Sequence, residues 1–137
     1  MARTASTQPT DGELEILNVL WSTGRADLGT IRAILQQKRP VATTTIATML
    51  KLMRDKGLVE RADGPRGYLW SARITRKAAR AGLIGRLVDL AFEGSARGLV
   101  AHMLEAGKLS ASDRQEIRRL LDEGKRKTRA KKGETRS

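Results

Sequence analysis

The hydrophobic pattern of the first 72 residues changes once, from a helical period to a strand-like one, and this change fixes the order of the elements. Three segments with apolar residues every three or four positions lie between Thr10 and Lys56. Two short strand-like segments follow, Leu58–Arg61 and Tyr68–Trp70, with the turn-forming sequence Gly64–Gly67 between them as a four-residue tip. Because an isolated hairpin is only marginally stable, it should pack on the helices. The order helix, helix, helix, hairpin predicts a winged helix-turn-helix.

Capping residues mark where the first helices begin. Thr10 and Glu13 have the spacing of a capping box, in which each side chain binds a backbone amide that the helix leaves free. Asp27 is placed to cap the second helix, and Pro40 separates the second helix from the third. The third helix is predicted from about Ala42 to Lys56.

Three further amphipathic helices are predicted after the hairpin, over Thr75–Phe92, Ser95–Ala106 and Ser110–Glu123. Their apolar stripe is wider than three short helices can bury among themselves. Some of these residues should form an intramolecular core, and we expect the remainder to pair with a second copy of the chain. The residues expected at the homodimer interface are Leu83, Leu87, Leu90, Leu99, Met103, Leu104, Ile117, Leu120 and Leu121. The fold class is therefore mostly α with a small β-hairpin wing, followed by a C-terminal helical dimerisation region.

Positive charge is concentrated at the C-terminal end. The chain has 27 Lys and Arg against 15 Asp and Glu, a net charge of +12, and residues 124–137 alone contribute seven basic residues against one acidic. A strongly basic chain is attracted to polyanions such as nucleic acid. The predicted domains are a flexible N-terminus (1–9), a winged-helix DNA-binding domain (10–72), the dimerisation region (73–123) and a basic disordered tail (124–137).

The third predicted helix has two chemically different faces. At about 100° per residue, Ile46, Leu50 and Met53 share one side, whereas the other side carries small hydroxyl-bearing residues and one lysine. A surface exposed only to water is seldom rich in threonine, which is a poor helix former. Small side chains allow close approach to the major groove, and threonine presents both a hydroxyl and a methyl group to bases and phosphates. The predicted DNA-binding residues are Thr43, Thr44, Thr45, Ala47, Thr48 and Lys51 on this helix, with Arg61 and Arg66 on the wing.

Composition argues against several other classes of protein. The chain has no cysteine and one histidine, His102, and it lacks metal-binding, nucleophile-elbow and P-loop motifs, so we expect no enzyme, metal or cofactor. It has no apolar run of about 20 residues and no hydrophobic N-terminal signal, so we expect a cytoplasmic protein that does not insert into membranes. A winged-helix protein-interaction module and a nonspecific DNA-coating protein remain as alternatives.

An ordered set of segments resembles the penicillinase-repressor family over about residues 10–123. The segments are ELEILNVLW (13–21), VATTTIATML (41–50), KGLVE (56–60), GSARGLVAHMLE (94–105) and LSASDRQEIRRLLD (109–122). The resemblance implies a homodimeric repressor that binds a palindromic operator in double-stranded DNA and controls β-lactam-resistance or cell-envelope genes. It also implies a membrane-sensor protease system that triggers cleavage in the dimerisation region, here at His102–Met103. The sequence departs there from the asparagine–phenylalanine pair of the staphylococcal members, and it has Thr44 and Ala47 where those members carry lysine and arginine.

Overall fold

The computed structural model describes the backbone of residues 8–135 and the side chains of residues 8–125. Over this range it contains six helices and one two-stranded antiparallel sheet, which confirms the mostly α fold with a hairpin wing. The elements are α1 (Asp11–Thr23), α2 (Leu28–Gln36), α3 (Thr43–Asp55), β1 (Val59–Gly64), β2 (Gly67–Ala72), α4 (Arg76–Ala91), α5 (Ala96–Glu105) and α6 (Ala111–Thr135). They form two compact units, one ending at Arg86 and the other beginning at Leu87.

Side chains cap α1 and α2 as their sequences predict. The backbone N–H of Glu13 donates to Thr10 Oγ1 at 3.2 Å, and the backbone N–H of Thr10 donates to Glu13 Oε1 at 2.9 Å. These two bonds complete the capping box. At the start of α2, the N–H of Thr30 donates to Asp27 Oδ1 at 2.8 Å. Each cap satisfies an amide that has no partner within its own helix, so the caps fix where these helices begin.

The core of the first unit lies where α1, α2 and α3 pack around the base of the hairpin. Its largest fully buried side chains are Ile16, Leu17, Leu20, Ile31, Ile46, Leu50, Met53 and Val59. Each such side chain contributes roughly 1.5–3 kcal/mol of burial free energy. The hairpin is fastened to this core through Trp70, whose backbone N–H and C=O both bond to Ala26, at 2.8 and 3.0 Å.

The wing has a tighter turn than the four-residue tip expected from Gly64–Gly67. The antiparallel ladder begins at the pair Val59 and Ala72 and continues to the pair Gly64 and Gly67, so only Pro65 and Arg66 form the loop. Gly67 has φ +108°, a conformation that other residues rarely adopt, and this allows the ladder to close immediately after Arg66.

Helix α6 continues to Thr135, beyond the end predicted at Glu123, and covers most of the segment 124–137 for which disorder was predicted. Lysine and arginine make up seven of the fourteen residues of this segment, and both favour a helix even without an apolar face. The start of α6 is capped reciprocally by Ser110 and Asp113, with both hydrogen bonds at 3.0 Å. Residues 1–7 of the predicted flexible N-terminus, and the tail side chains of residues 126–137, lie outside the described residues.

Candidate nucleic-acid interface

The two faces of α3 separate as the sequence predicts. Ile46, Leu50 and Met53 are fully buried on one face. The six residues expected to contact DNA are exposed, and they are Thr43, Thr44, Thr45, Ala47, Thr48 and Lys51. The burial of the apolar face against the rest of the unit therefore holds a small, hydroxyl-rich surface toward the outside.

Three contacts fix the position of α3 in the unit. Arg32 Nε on α2 donates to the carbonyl of Val41 at 3.1 Å, which pins the connection that leads into α3. At the other end of α3, Lys56 Nζ lies 2.8 Å from Glu13 Oε1. Midway along the helix, the end of the Met49 side chain lies against α1, where a Cβ on Gly12 would be 2.8 Å from Met49 Cε. The outer face of α3 thus belongs to a helix that is held by contacts with α1 and α2.

The hydroxyl of Thr48 already has a partner within α3. Its Oγ1 donates to the carbonyl of Thr44 at 2.9 Å, and both residues are exposed. Because a hydroxyl has one hydrogen to donate, Thr48 in this arrangement offers an outside partner only an acceptor oxygen and a methyl group. The methyl group suits contact with a thymine methyl in the major groove.

The two predicted wing arginines are both exposed, and each has a defined neighbour. The guanidinium carbon of Arg61, on β1, lies 3.9 Å from the ring centroid of Tyr68 on β2. Arg66 occupies the turn, and its charge acts on Asp27 at the start of α2. Hydrogen bonds from Thr30 hold the pKa of Asp27 below its usual value, and the positive charge of Arg66 adds a smaller effect in the same direction.

A cleft of about 500 Å³ separates α3 from the hairpin, and we refer to it as the α3–wing cleft. It is lined by Leu28, Ala47, Leu50, Lys51, Arg54, Asp55, Arg61, Arg66, Gly67, Tyr68 and Trp70. The structure thereby brings Ala47, Lys51, Arg61 and Arg66 from the predicted set to one place. Arg54 was not predicted, although its position three residues after Lys51 puts both on one side of the helix.

The residues predicted at the dimer interface remain accessible in the single chain. Leu90 and Leu121 are 74% and 68% exposed, the highest values among the large apolar residues that the structure describes. Leu83, Leu87, Leu104 and Leu120 are between 40% and 52% exposed, whereas Leu99, Met103 and Ile117 are partly buried. Exposed apolar side chains of this number are costly to leave in water and are typical of a surface that binds another protein.

The predicted cleavage site lies in α5. His102 is exposed, and its ring is 6.0 Å from that of Phe92 in an edge-to-face arrangement. Met103 beside it is partly buried. In the part of the chain that the structure describes, no three His, Cys, Asp or Glu side chains gather as a metal would require. Within the same range, no helix combines the length and the apolar character needed to cross a membrane.

Comparison with known proteins places these features in a sequence family. Residues 9–123 match the model of the family described as penicillinase repressor. The methicillin resistance regulatory protein MecI of Mammaliicoccus sciuri is 21% identical over 110 residues, which cover 80% of this chain and 89% of that protein. MecI of Staphylococcus aureus strain N315 is 20% identical with the same coverage.

Two solved structures also align with the chain. Wild-type MarR from E. coli, in its apo form, is 21% identical with a TM-score of 0.49, and the alignment covers 84% of this chain and 76% of that one. A point mutant of Lactococcus lactis ZitR is 17% identical with a TM-score of 0.44, with 93% and 82% covered.

Proposed function

Because this chain belongs to the penicillinase repressor family, a family of DNA-binding transcriptional repressors, we propose that it represses transcription as a homodimer on a palindromic operator. The observation that carries this proposal is the outward face of α3. Thr44, Thr48 and Lys51 are exposed there while Ile46 and Leu50 are fully buried on the opposite side. Such a face fits the major groove, where small side chains permit close approach to the bases.

The wing supplies the second part of the DNA contact. Arg61 and Arg66 are exposed across the α3–wing cleft from Lys51, so these cations are available to phosphates on the strand that borders the groove. Phosphate contacts position a protein on the duplex without reading its sequence. In this proposal the exposed face of α3 reads the bases, and the wing fixes the register.

In this proposal, dimerisation gives a small DNA-binding domain its affinity for the operator. One winged helix reads a single half-site, whereas two related by a twofold axis read half-sites about 34–36 Å apart or a multiple of that spacing. The exposed leucines Leu87, Leu90, Leu104, Leu120 and Leu121 support pairing of the second unit with a second copy. Linking two weak sites raises affinity through effective concentration without any new DNA contact.

The names of the relatives support a proposal for the regulated genes. MecI is a methicillin resistance regulatory protein, and we propose by analogy that this chain controls β-lactam-resistance or cell-envelope genes. We further propose that a membrane-sensor protease system inactivates it by cleavage at His102–Met103. Such a cut would divide α5 and separate Leu99 from Leu104, two residues of the proposed interface.

Selection of binding sites from a random double-stranded DNA library tests the main proposal. We expect an inverted repeat to be enriched, and the affinity for it to exceed that for a scrambled duplex by at least about 10³-fold. A DNA-coating protein would bind without enriching any sequence. A protein-interaction module would bind no duplex even at low salt.

Mapping the selected repeat to the genome, followed by a chromatin-binding profile, tests the proposed target genes. Mass spectrometry of the protein from cells treated with a β-lactam tests the proposed cleavage. A fragment that begins at Met103 is expected after treatment and not in untreated cells, and intact protein in both samples would contradict cleavage.

A further inference from the structure

The segment that joins β2 to α4 is tied to the end of α1 by one side chain. Trp21 lies in the last turn of α1 and is half-buried. Its Nε1–H donates to the carbonyl of Ile74 at 2.9 Å, across 53 positions of sequence. Ile74 lies between the end of β2 at Ala72 and the start of α4 at Arg76. Because an indole has one N–H with a fixed direction, this bond fixes the backbone that leads into α4.

Arg76 adds a second contact to Trp21 from the first residue of α4. Its guanidinium carbon lies 5.4 Å from the centroid of the Trp21 ring, within the distance of about 6 Å over which a cation and an aromatic face attract each other. Between the two contacts, Thr75 Oγ1 accepts the N–H of Ala78 at 3.0 Å and caps the helix. The ring of Trp21 thus contacts the chain on both sides of the point where α4 begins.

The rest of α4 has few contacts that could set its direction. Ala79 is the one buried residue of this helix, and the apolar core of the first unit does not include it. A further contact occurs at Gly82, where an added Cβ would clash with the side-chain amide of Gln8. Because α4 lacks a broad apolar face packed on the winged helix, its direction depends on the contacts near its start.

We propose that Trp21, with Arg76 over its ring, is a positioning residue that sets which separation of operator half-sites the dimer accepts. This inference rests on the proposed function, in which the second unit pairs with a second copy. Helix α4 begins in the first unit and ends in the second, past the boundary between Arg86 and Leu87. A helix held at its start restricts how the DNA-binding unit turns, whereas a loosely attached helix would let each DNA-binding unit turn by itself.

DNA geometry makes this restriction measurable. One added base pair moves two half-sites apart by about 3.4 Å and turns one relative to the other by about 35°, because a turn of about 34–36 Å contains roughly 10–10.5 base pairs. Two DNA-binding units in a fixed relation cannot follow this change, and the affinity gained by linking two sites is then lost. Units on a loosely attached α4 can follow it, so their affinity should depend less on spacing.

The test compares the full-length wild type with Trp21→Phe, which keeps an aromatic ring but has no N–H to donate. Fluorescence anisotropy measures binding to the selected operator, to versions with one base pair added or removed at the centre, and to a single half-site. Wild type is expected to lose at least about tenfold in affinity at either altered spacing, and Trp21→Phe no more than about threefold. Equal half-site affinities would show that the surface in contact with DNA is intact in the variant.

Two matched arginine variants test the contact from α4. Arg76→Gln and Arg80→Gln each remove one exposed cation from the same helix, and it is Arg76 that lies over Trp21. Both should weaken phosphate attraction to a similar extent, whereas a wider tolerance of spacing is expected for Arg76→Gln alone. Equal spacing profiles of these two variants would refute the part assigned to Arg76. Equal spacing profiles of Trp21→Phe and wild type would overturn the whole inference.

Hydrogen exchange of the DNA-free proteins tests the attachment of α4 without using the proposed function. Backbone amides of residues 78–82 are expected to exchange at least about threefold faster in Trp21→Phe than in wild type, while those of α3 keep their rate. Equal acceleration in both helices would show a general loss of stability and would overturn the inference.

The two assays separate this inference from the proposed function. If wild type binds no duplex, the proposed function and the spacing role fail together, and the exchange rates still decide whether Trp21 holds α4. If wild type binds the inverted repeat equally at every spacing, the spacing role fails and the proposed function stands.

Discussion

Lys56 Nζ, just past the end of α3, lies 2.8 Å from Oε1 of Glu13 in the first turn of α1. The Glu13 side chain is only 5% exposed and that of Lys56 21%. Burial raises the pKa of Glu13, but hydrogen bonds from Lys56 and Thr10 and the charge of Lys56 together lower it below its usual value of 4.5. The Glu13 carboxylate therefore caps α1 and also holds the C-terminal end of α3, the helix proposed to contact the bases.

Replacing this carboxylate should destabilise the first unit. Glu13→Gln leaves Lys56 half-buried without its counter-charge and is expected to lower the free energy of unfolding by about 1–3 kcal/mol. Glu15→Gln is the matched control, because Glu15 pairs with Arg39 at the surface and should contribute less than about 1 kcal/mol. Urea unfolding of both variants measures the difference, and equal losses would contradict the special role of Glu13.

The stabilisation from Glu13 should depend on pH in a defined direction. Because its pKa is lower in the folded than in the unfolded chain, the contribution is fully present above pH 4.5 and is lost as the pH falls through the lower, folded-state pKa. The stability difference between wild type and Glu13→Gln, measured by urea unfolding, is therefore expected to be larger at pH 7 than at pH 3. A difference of the same size at both pH values would show that the charge of Glu13 is not its source.

Thr48 should read the operator through its methyl group more than through its hydroxyl, because the hydroxyl donates to the carbonyl of Thr44. Thr48→Ser keeps the hydroxyl and is expected to weaken operator binding by about 1 kcal/mol, the usual value for losing one buried methyl group. Thr48→Val keeps a methyl group and should bind better than Thr48→Ser. Fluorescence anisotropy with the selected operator measures both, and the reverse order would assign the contact to the hydroxyl.

Lys51 should act on DNA through charge, because it lies in the α3–wing cleft beside Arg54 and Arg61. Lys51→Gln is expected to reduce the magnitude of the slope of log affinity against log salt by about 0.9, the value for one phosphate contact on B-DNA. Lys108→Gln, an exposed change outside the proposed DNA surface, should leave the slope as it is. An unchanged slope with altered base preference would instead indicate that Lys51 contacts guanine.

A charge placed in the proposed dimer interface should lower self-association and operator affinity together. Leu120→Glu is the test, and Leu52→Glu is its control for self-association, since both leucines are 52% exposed but Leu52 lies on α3. Sedimentation should show a dimer for wild type and for Leu52→Glu, and a shift toward monomer for Leu120→Glu. A wild-type monomer at micromolar concentration would refute the dimeric mechanism.

Much of the fold is local in origin and was predictable for that reason. The capping box of Thr10 and Glu13, the cap at Asp27 and the two faces of α3 each depend on residues within a few positions of one another. Such features follow from helix geometry and can be read from spacing alone. The predictions of the wing turn and of the end of α6 were less accurate. The positive φ of Gly67 and the continuation of a helix that has no apolar face are both weakly encoded in a sequence.

The sequence by itself determined the winged-helix order and which face of α3 is free. Only the tertiary structure decided which residues of the other elements lie beside α3. Residues 43 positions apart meet in the pair of Glu13 and Lys56, and the α3–wing cleft unites Arg54 with Trp70. These pairings form because burial of the shared core fixes the angle between helices and hairpin. Side chains that follow no helical or strand-like repeat are thereby brought together. Neither secondary-structure propensity nor spacing along the chain predicts that they lie close to one another.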